Sequence, residues 1–351
     1  MHMADALLSP STAAVMYAAS ATAAGLSVRQ LRKENDSRKL PVMAVSAAMI
    51  FAGQMINYTI PGTGSSGHLC GGMLLSALLG PQAGFLSMIA VLTIQCLFFA
   101  DGGLMALGAN IWNMAFYGCF IGYYLIWRPL QRSNLFGCQT SHSGRRAVIV
   151  LASILGCVLT LQLGALSVTV ETLVSGITEL PFAAFAGLML PIHLAIGLVE
   201  GLITSAVLLF VYEARPELLM DVGTSEEKDA KMSLRGVIAS LALITALTGG
   251  ALSLFASGNP DGLEWALFGN AEAGYAENMA LDEENFGLSS SVSDTASAIQ
   301  ESTSFLPDYA FKDSDAAAGT SVSGLAGSAI VAGACVLISL AGGFWRKRTV
   351  Q

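Results

Sequence analysis

Met1-His2-Met3 opens the chain with three nitrogen donors on neighbouring atoms: the α-amine, the His2 amide and the His2 imidazole. Bound to one ion, they close a five-membered ring and then a six-membered ring. Three nitrogens in a plane suit Ni(II), Cu(II) or low-spin Co(II), which favour tetragonal nitrogen sites. The fourth position of that plane stays open, and one more imidazole would fill it. The chelate needs the initiator Met to be kept, which the bulk of a His at position two favours. The plain alternative is an N-terminus with no role.

The elements that must position such a site are membrane helices. Of 351 residues 54% are hydrophobic and only 12% charged, and the mean hydropathy is +0.62, far outside soluble averages. Apolar runs long enough to span a bilayer occur at 9–28, 40–60, 82–100, 106–127, 147–170, 181–212, 234–256 and 322–345. The first lacks a basic leader and a clean cleavage site, so it reads as a retained helix with Met1 as the mature terminus. Arg29–Lys39, Arg128–Arg146, Arg215–Arg235 and Arg346–Arg348 bound four clusters that hold every Lys and Arg except Lys312. The positive-inside rule puts all four in the cytoplasm and Met1 and His2 outside.

Eight spans would place the Arg128–Arg146 loop outside, against its charge. One more crossing is needed, and residues 68–80 are the available candidate. That stretch is too short to face lipid, so it must be buried in protein or line a cavity. Nine crossings follow, with residues 57–67 dipping inward from outside. Gly62, Gly64, Gly67 and Gly71 give this loop backbone freedom for close approach. His68 then starts the short helix on the same side as His2 and is the candidate fourth donor.

Other polar groups fall near this end. Asp101, Asn110 and Asn113, with Ser66 in the dipping loop, are candidates to orient an imidazole or close the site against water. Loop capping and interhelical hydrogen bonding are the plain alternatives. His193 and Glu200 lie seven residues apart, on one face of a helix and deeper in the membrane. Such groups are costly there, and the pair reads as structural, as a coupling element, or, in a second functional reading, as part of a pathway through a stand-alone metal channel or sensor. Six cysteines show no CxxC spacing. Only Cys70, two residues after His68, has a plausible metal role, against that of a small apolar helix residue.

Three ordered motifs, MHMADALLSP at the start, PGTGSSGHLCGGMLLSALLGP around His68 and FFADGGLMALGANIWNM at 98–114, resemble the nickel/cobalt substrate-binding membrane component of energy-coupling-factor transporters. The resemblance spans residues 1–215. It implies an all-α, seven-helix bundle whose N-terminus folds in from outside. It also implies a square-planar ion held by the Met1 amine, the His2 amide and imidazole, and the His68 imidazole. PDGLEWA at 260–266, a later Pro307-Asp308-Tyr309 and a final helix resemble the two-helix accessory component of the same transporters. The expected organisation is therefore 1–215 metal-binding domain, 216–233 cytoplasmic linker and 234–351 accessory domain.

The loop 257–321 carries twelve acidic residues against Lys312 alone. It is rich in Ser, Ala and Gly, so much of it is expected to be flexible, either as an acidic tether or as a weak collector of cations. The PDGLEWA end is expected to dock. No GxxxxGK[ST] loop occurs, so the chain cannot by itself couple ATP hydrolysis to movement. No HExxH or GxSxG motif points to an enzyme, and nothing supports nucleic-acid binding. The resemblance implies partners: a membrane-embedded coupling subunit and two cytoplasmic ATP-binding subunits. Small residues at Ala14, Ala18 and Thr22 allow close helix approach, either as a docking surface for the coupling subunit or for packing within the bundle. The expected location is a bacterial-type plasma membrane, with the C-terminus cytoplasmic. No cofactor is implied. The ion is cargo, Ni(II) or Co(II), and a chelate with a deprotonated amide leans towards low-spin Ni(II).

Overall fold

The computed structural model describes residues 1–33, 39–222, 231–275, 278–279, 281, 286–312 and 318–342. The predicted charge run Glu226–Asp229 and the C-terminal Arg346, Lys347 and Arg348 lie outside these residues. So do Arg38, Glu277, Asp282, Glu283, Glu284, Asp313 and Asp315.

The fold is mostly helical. Helix α1 (Pro10–Leu31) starts where sequence chemistry allows it: Ser9 caps Thr12 N, and Pro10 takes the first turn, where no N–H is needed. Then come α2 (Lys39–Gln54), the antiparallel hairpin β1 (Tyr58–Ile60) and β2 (Ser65–Gly67), α3 (Gly72–Leu79) and α4 (Pro81–Phe99). Helix α5 (Leu107–Asn110) runs on through Ile111–Trp127 with the wider π-type hydrogen bonding. A short α6 (Arg128–Arg132) precedes the long α7 (His142–Val174) and α8 (Phe182–Ala214), which pack along each other. The C-terminal part holds α9 (Leu234–Gly250), α10 (Gly262–Phe268), α11 (Ser291–Thr303) and α12 (Ala318–Gly342), the last seated against α2 and α9.

Among the described residues, four helices are long and apolar enough to cross a membrane: α4, α7, α8 and Ala318–Ala341 of α12. Helices α2 and α9 are apolar but shorter. Helix α3 is buried along its whole length, and Leu75, Ala77 and Leu79 are 0–1% exposed, as a half-span flanked by protein must be.

Two sequence expectations are corrected. His68 does not start the short helix; it stands four residues before α3, in the extended segment that follows β2. The span expected to reach residue 60 ends at Gln54, because the chain turns into the hairpin. Gly62, Gly64 and Gly71 supply the loop's freedom through positive φ, whereas Gly67 supplies close approach: a Cβ there would fall 2.5 Å from Ile196.

The acidic loop is also more structured than its composition implies. Helix α11 and the segment after it lie on the end of α4: Gln300 Nε2 donates to Cys96 O (2.9 Å) and Gly102 O (2.6 Å), and Leu306 N donates to Phe98 O (3.2 Å). Polar sequence alone reads as coil, whereas these donors find carbonyls that α4 cannot satisfy at its own end. In the linker, Met220 N bonds Ala77 O (2.8 Å), and Asp221 accepts from Tyr123 OH (2.5 Å) and Arg132 Nη2 (2.5 Å).

Candidate metal centre

The N-terminal segment folds back into the bundle and is held there by its backbone. Asn110 pairs with both polar groups of Met3: Met3 N donates to Oδ1 (2.7 Å), and Nδ2 donates to Met3 O (3.2 Å). Gly103 N adds a second bond to Met3 O (2.9 Å), and Asp5 Oδ1 accepts from Ala106 N (2.9 Å). Two glycines make this approach possible. A Cβ at Gly103 would fall 1.8 Å from Asp5 Oδ1, and one at Gly102, at φ +78°, would crowd Asn110 and His2.

This anchoring brings Met1, His2 and His68 together. The Met1 amine is 3.1 Å from His68 Nε2, and the His2 and His68 rings lie stacked with centroids 5.2 Å apart. Two nitrogens at right angles around one ion, on bonds of about 2.0 Å, stand ~2.8 Å apart. The amine and His68 are thus close to the spacing of adjacent corners in a square plane. His68 Nδ1 lies 3.0 Å from Leu69 O, which fixes the ring and leaves Nε2 towards the amine. His2 is turned differently: its Nδ1, the nitrogen that closes the six-membered ring, lies 3.1 Å from Asp101 Oδ1, while its buried Nε2 has no partner among the described residues. Burial pushes the His2 imidazole down to about 4 although Asp101 opposes the shift, so the ring is neutral at pH 7, the form that ligates.

Among the described residues, no group of three His, Cys, Asp or Glu side chains could hold an ion.

The remaining candidates divide. Asp101 reaches His2 directly. Asn110 acts on the Met3 backbone, and Asn113 reaches the Met3 sulfur (3.6 Å) and Glu171 Oε2 (2.8 Å). Ser66 faces away from the nitrogens, its N bonding Pro260 O (2.8 Å) and its Oγ bonding Asn259 O (2.7 Å). His193 and Glu200 make no bond to each other. Glu200 accepts from Cys70 N (2.8 Å) and Gly71 N (2.9 Å), just past His68, and His193 Nδ1 lies 2.8 Å from Met189 O. Cys70 is buried and lacks the solvent exposure of a reactive thiolate.

Sequence reading missed three residues. Asp261 Oδ2 is 2.6 Å from the Met1 amine and 3.7 Å from His68 Nε2. Burial acts to raise its pKa, yet the ammonium and His68 beside it hold it well below the usual carboxylate range. Tyr309 OH donates to Asp101 Oδ2 (2.5 Å). Glu171 holds Asn113. Charge segregation had put Asp261 on the Met1 side and PDGLEWA had marked a docked turn; for Glu171 no sequence signal existed. Above the three nitrogens lies an open funnel of about 740 Å³, lined by residues that include Asp5, Asp101, Asp261, Glu264 and Asp308.

Comparison with known proteins identifies the family. Residues 2–218 match the CbiM family model, described as a cobalt uptake substrate-specific transmembrane region, and residues 235–342 match the PDGLE domain. A putative fused nickel transport protein, NikMN, of Archaeoglobus fulgidus is 35% identical over 94% of this chain and 95% of its own length. The cobalt transport protein CbiM of Sorangium cellulosum is 30% identical over 62% of this chain and 94% of its own. A crystal structure of a truncated transition metal transporter superposes with a TM-score of 0.51 at 32% identity, covering 61% of this chain and 99% of that one. With its N-terminal region matched to one family and its C-terminal region to the other, the chain belongs to the CbiM family of transition-metal transporters, in a form fused to a PDGLE domain.

Proposed function

We propose that this protein captures Ni(II) or Co(II) from the extracytoplasmic side as the substrate-specific subunit of an ATP-driven energy-coupling-factor transporter. The carrying observation is the Met1 amine 3.1 Å from His68 Nε2, beside an open cavity lined by His2, His68 and several carboxylates. In this reading the ion is held by the Met1 amine, the His2 amide and imidazole, and His68. In the same reading, residues 1–215 form a seven-helix metal-binding bundle with its N-terminus outside. A cytoplasmic linker at 216–233 and an accessory domain over 234–351 follow, with the C-terminus in the cytoplasm of a bacterial-type plasma membrane. A coupling subunit and two ATP-binding subunits supply the drive that the chain lacks motifs for.

Negative potential in this cavity concentrates divalent cations beside the nitrogens. The tie of His68 Nδ1 to Leu69 O leaves its Nε2 free to ligate, while His2 and the amine must give up Asp101 and Asp261 to do so. Selection against Mg(II) and Ca(II), which take oxygen donors, follows from an all-nitrogen plane. The alternative, a channel or sensor conducting through His193 and Glu200, has less support: both Glu200 oxygens are engaged by backbone N–H groups, and His193 bonds its own helix.

The test is a Ni(II) and Co(II) titration of full-length protein with its native N-terminus, beside a version carrying one residue before Met1. Tight binding with the yellow d–d band of planar Ni(II), lost on extension, is the expected result. Undiminished binding by the extended protein would sink the amine chelate and send attention to Cys70, His193 and Glu200.

A further inference from the structure

We infer that the PDGLE region carries a latch on the ion site. Asp261 holds the Met1 amine, Tyr309 braces Asp101 on His2 Nδ1, and ion capture trades both contacts for bonds to the metal. The inference rests on the Met1–His2–His68 reading above and adds to it a kinetic role for residues far along the chain.

The two contacts fall on two of the three nitrogens of the N-terminal chelate. His2 Nδ1 has a single in-plane position, so it serves Asp101 or an ion, never both. Taking the ion requires the ring to leave Asp101, with its proton then carried on Nε2, the buried nitrogen that lacks a partner here. The amine is different in degree. As an ammonium it forms an ion pair with Asp261 at 2.6 Å. Bound to an ion it has given up a proton and offers Asp261 only an N–H. The ammonium proton and the His2 amide proton leave to solvent by the funnel.

Neither carboxylate is free to follow its nitrogen. The second oxygen of Asp261 caps α10, accepting from Leu263 N (2.8 Å) and Glu264 N (2.9 Å). Its segment is tied to the hairpin by Ser66 N to Pro260 O (2.8 Å) and Trp265 Nε1 to Thr63 O (2.9 Å). The second oxygen of Asp101 takes the Tyr309 hydroxyl, and the Tyr309 ring stacks on Phe99 with centroids 4.9 Å apart. Asp308 and Tyr309 both sit at positive φ, +50° and +58°. Non-glycine residues seldom adopt that region, and they keep it only where the surroundings enforce it. The C-terminal part thus fixes both carboxylates from outside the metal-binding bundle.

Rapid-mixing measurement of Ni(II) capture, and of release to a chelator, on the full-length protein tests this. The variants are Asp261→Asn, which still caps a helix well, Tyr309→Phe, which keeps the ring stacking, and the double. Asn270→Ala, which removes a tie to Gly64 O (2.8 Å) remote from the nitrogens, is the control. Capture should quicken about tenfold in either variant, the worth of one hydrogen bond to a charged group, with release close to wild type, affinity correspondingly tighter and the d–d band unmoved. Wild-type rates in both variants would overturn the latch, as would equal quickening in Asn270→Ala, which means general loosening. A displaced band or lost binding would also overturn it, because the carboxylates would then be ligands. A wild-type protein with no planar band fails at the earlier step, and the chelate itself falls.

Discussion

Two carboxylates from distant parts of the chain approach the same short stretch of backbone around His68, and they are satisfied in opposite ways. Glu200, deep on α8, has both oxygens on backbone N–H groups of Cys70 and Gly71 and is 1% exposed. Asp261, on the accessory segment, meets an amine and an imidazole that have other chemistry to do, and one-fifth of its side chain is open to the funnel. Backbone donors cannot leave, so Glu200 has the character of scaffold: it fixes where His68 stands. The partners of Asp261 can exchange. Saturation by immovable donors separates a structural intramembrane carboxylate from one poised at a working site.

That contrast breaks most sharply at the working end. His68→Ala should abolish planar Ni(II) binding, at least ~100-fold by titration, while the thermal midpoint in detergent moves by no more than about 2 °C. Among the described residues, the ring's own tie to Leu69 O, its contact with the amine, its approach to Asp261 and its stack on His2 all lie within the site, not in the helices around it. A His68→Ala protein that unfolds would make His68 scaffold too, and the contrast would collapse.

Glu200→Ala should do the reverse. It leaves two backbone N–H groups buried without acceptors, each worth roughly 1–3 kcal/mol, so unfolding should become easier by about 2–5 kcal/mol. Ion affinity should fall only in consequence, as the His68 segment loosens. Glu200→Gln keeps one acceptor oxygen and should recover about half of the loss. Equal stability of wild type and Glu200→Ala would show that the carboxylate is not the anchor of that segment.

Much of this architecture was legible in the sequence, and the failures have a common cause. Apolar runs located the helices because burial in lipid or protein demands composition over some twenty residues, and parity of charge found the short α3 where hydropathy alone did not. The nearness of Met1, His2 and His68 was legible because two constraints met, a covalent chelate and a shared membrane side. Asp261 and Tyr309 were not placed on the nitrogens, because a contact between residue 1 and residue 261 leaves no periodicity and no local spacing. Glu171 escaped for the same reason: its meaning lies in Asn113, 58 residues earlier. The docked acidic loop was misread because composition reports what a segment can do alone, and Gln300 and Leu306 are ordered by carbonyls at the end of α4.

A smaller effect is expected one step out from the nitrogens. Asn110→Ala removes both side-chain bonds to the Met3 backbone, but Gly103 N still holds Met3 O. Stability should drop by about 1–2 kcal/mol, and amide exchange at Met3 should quicken while α7 and α8 stay protected. Slow exchange retained at Met3 would assign the anchoring of the N-terminal segment to Asp5 and Gly103 instead.

The least change is expected from His193, and it bears most directly on how far the working site extends into the membrane. Its Nδ1 bonds Met189 O, and its ring borders a cavity of about 10 Å³ that Met1, His68 and Cys70 also line. That is room for the centre of one water molecule at most, and too little for a hydrated ion to rest there without rearrangement. His193→Phe keeps a planar ring and forfeits the single bond to Met189, so Ni(II) affinity should stay within about threefold of wild type, and stability within about 1 kcal/mol. A loss beyond tenfold in affinity, with stability intact, would join His193 to the ion's route. The division between an exchanging site above and a saturated scaffold below would then have to move one helical turn deeper on α8.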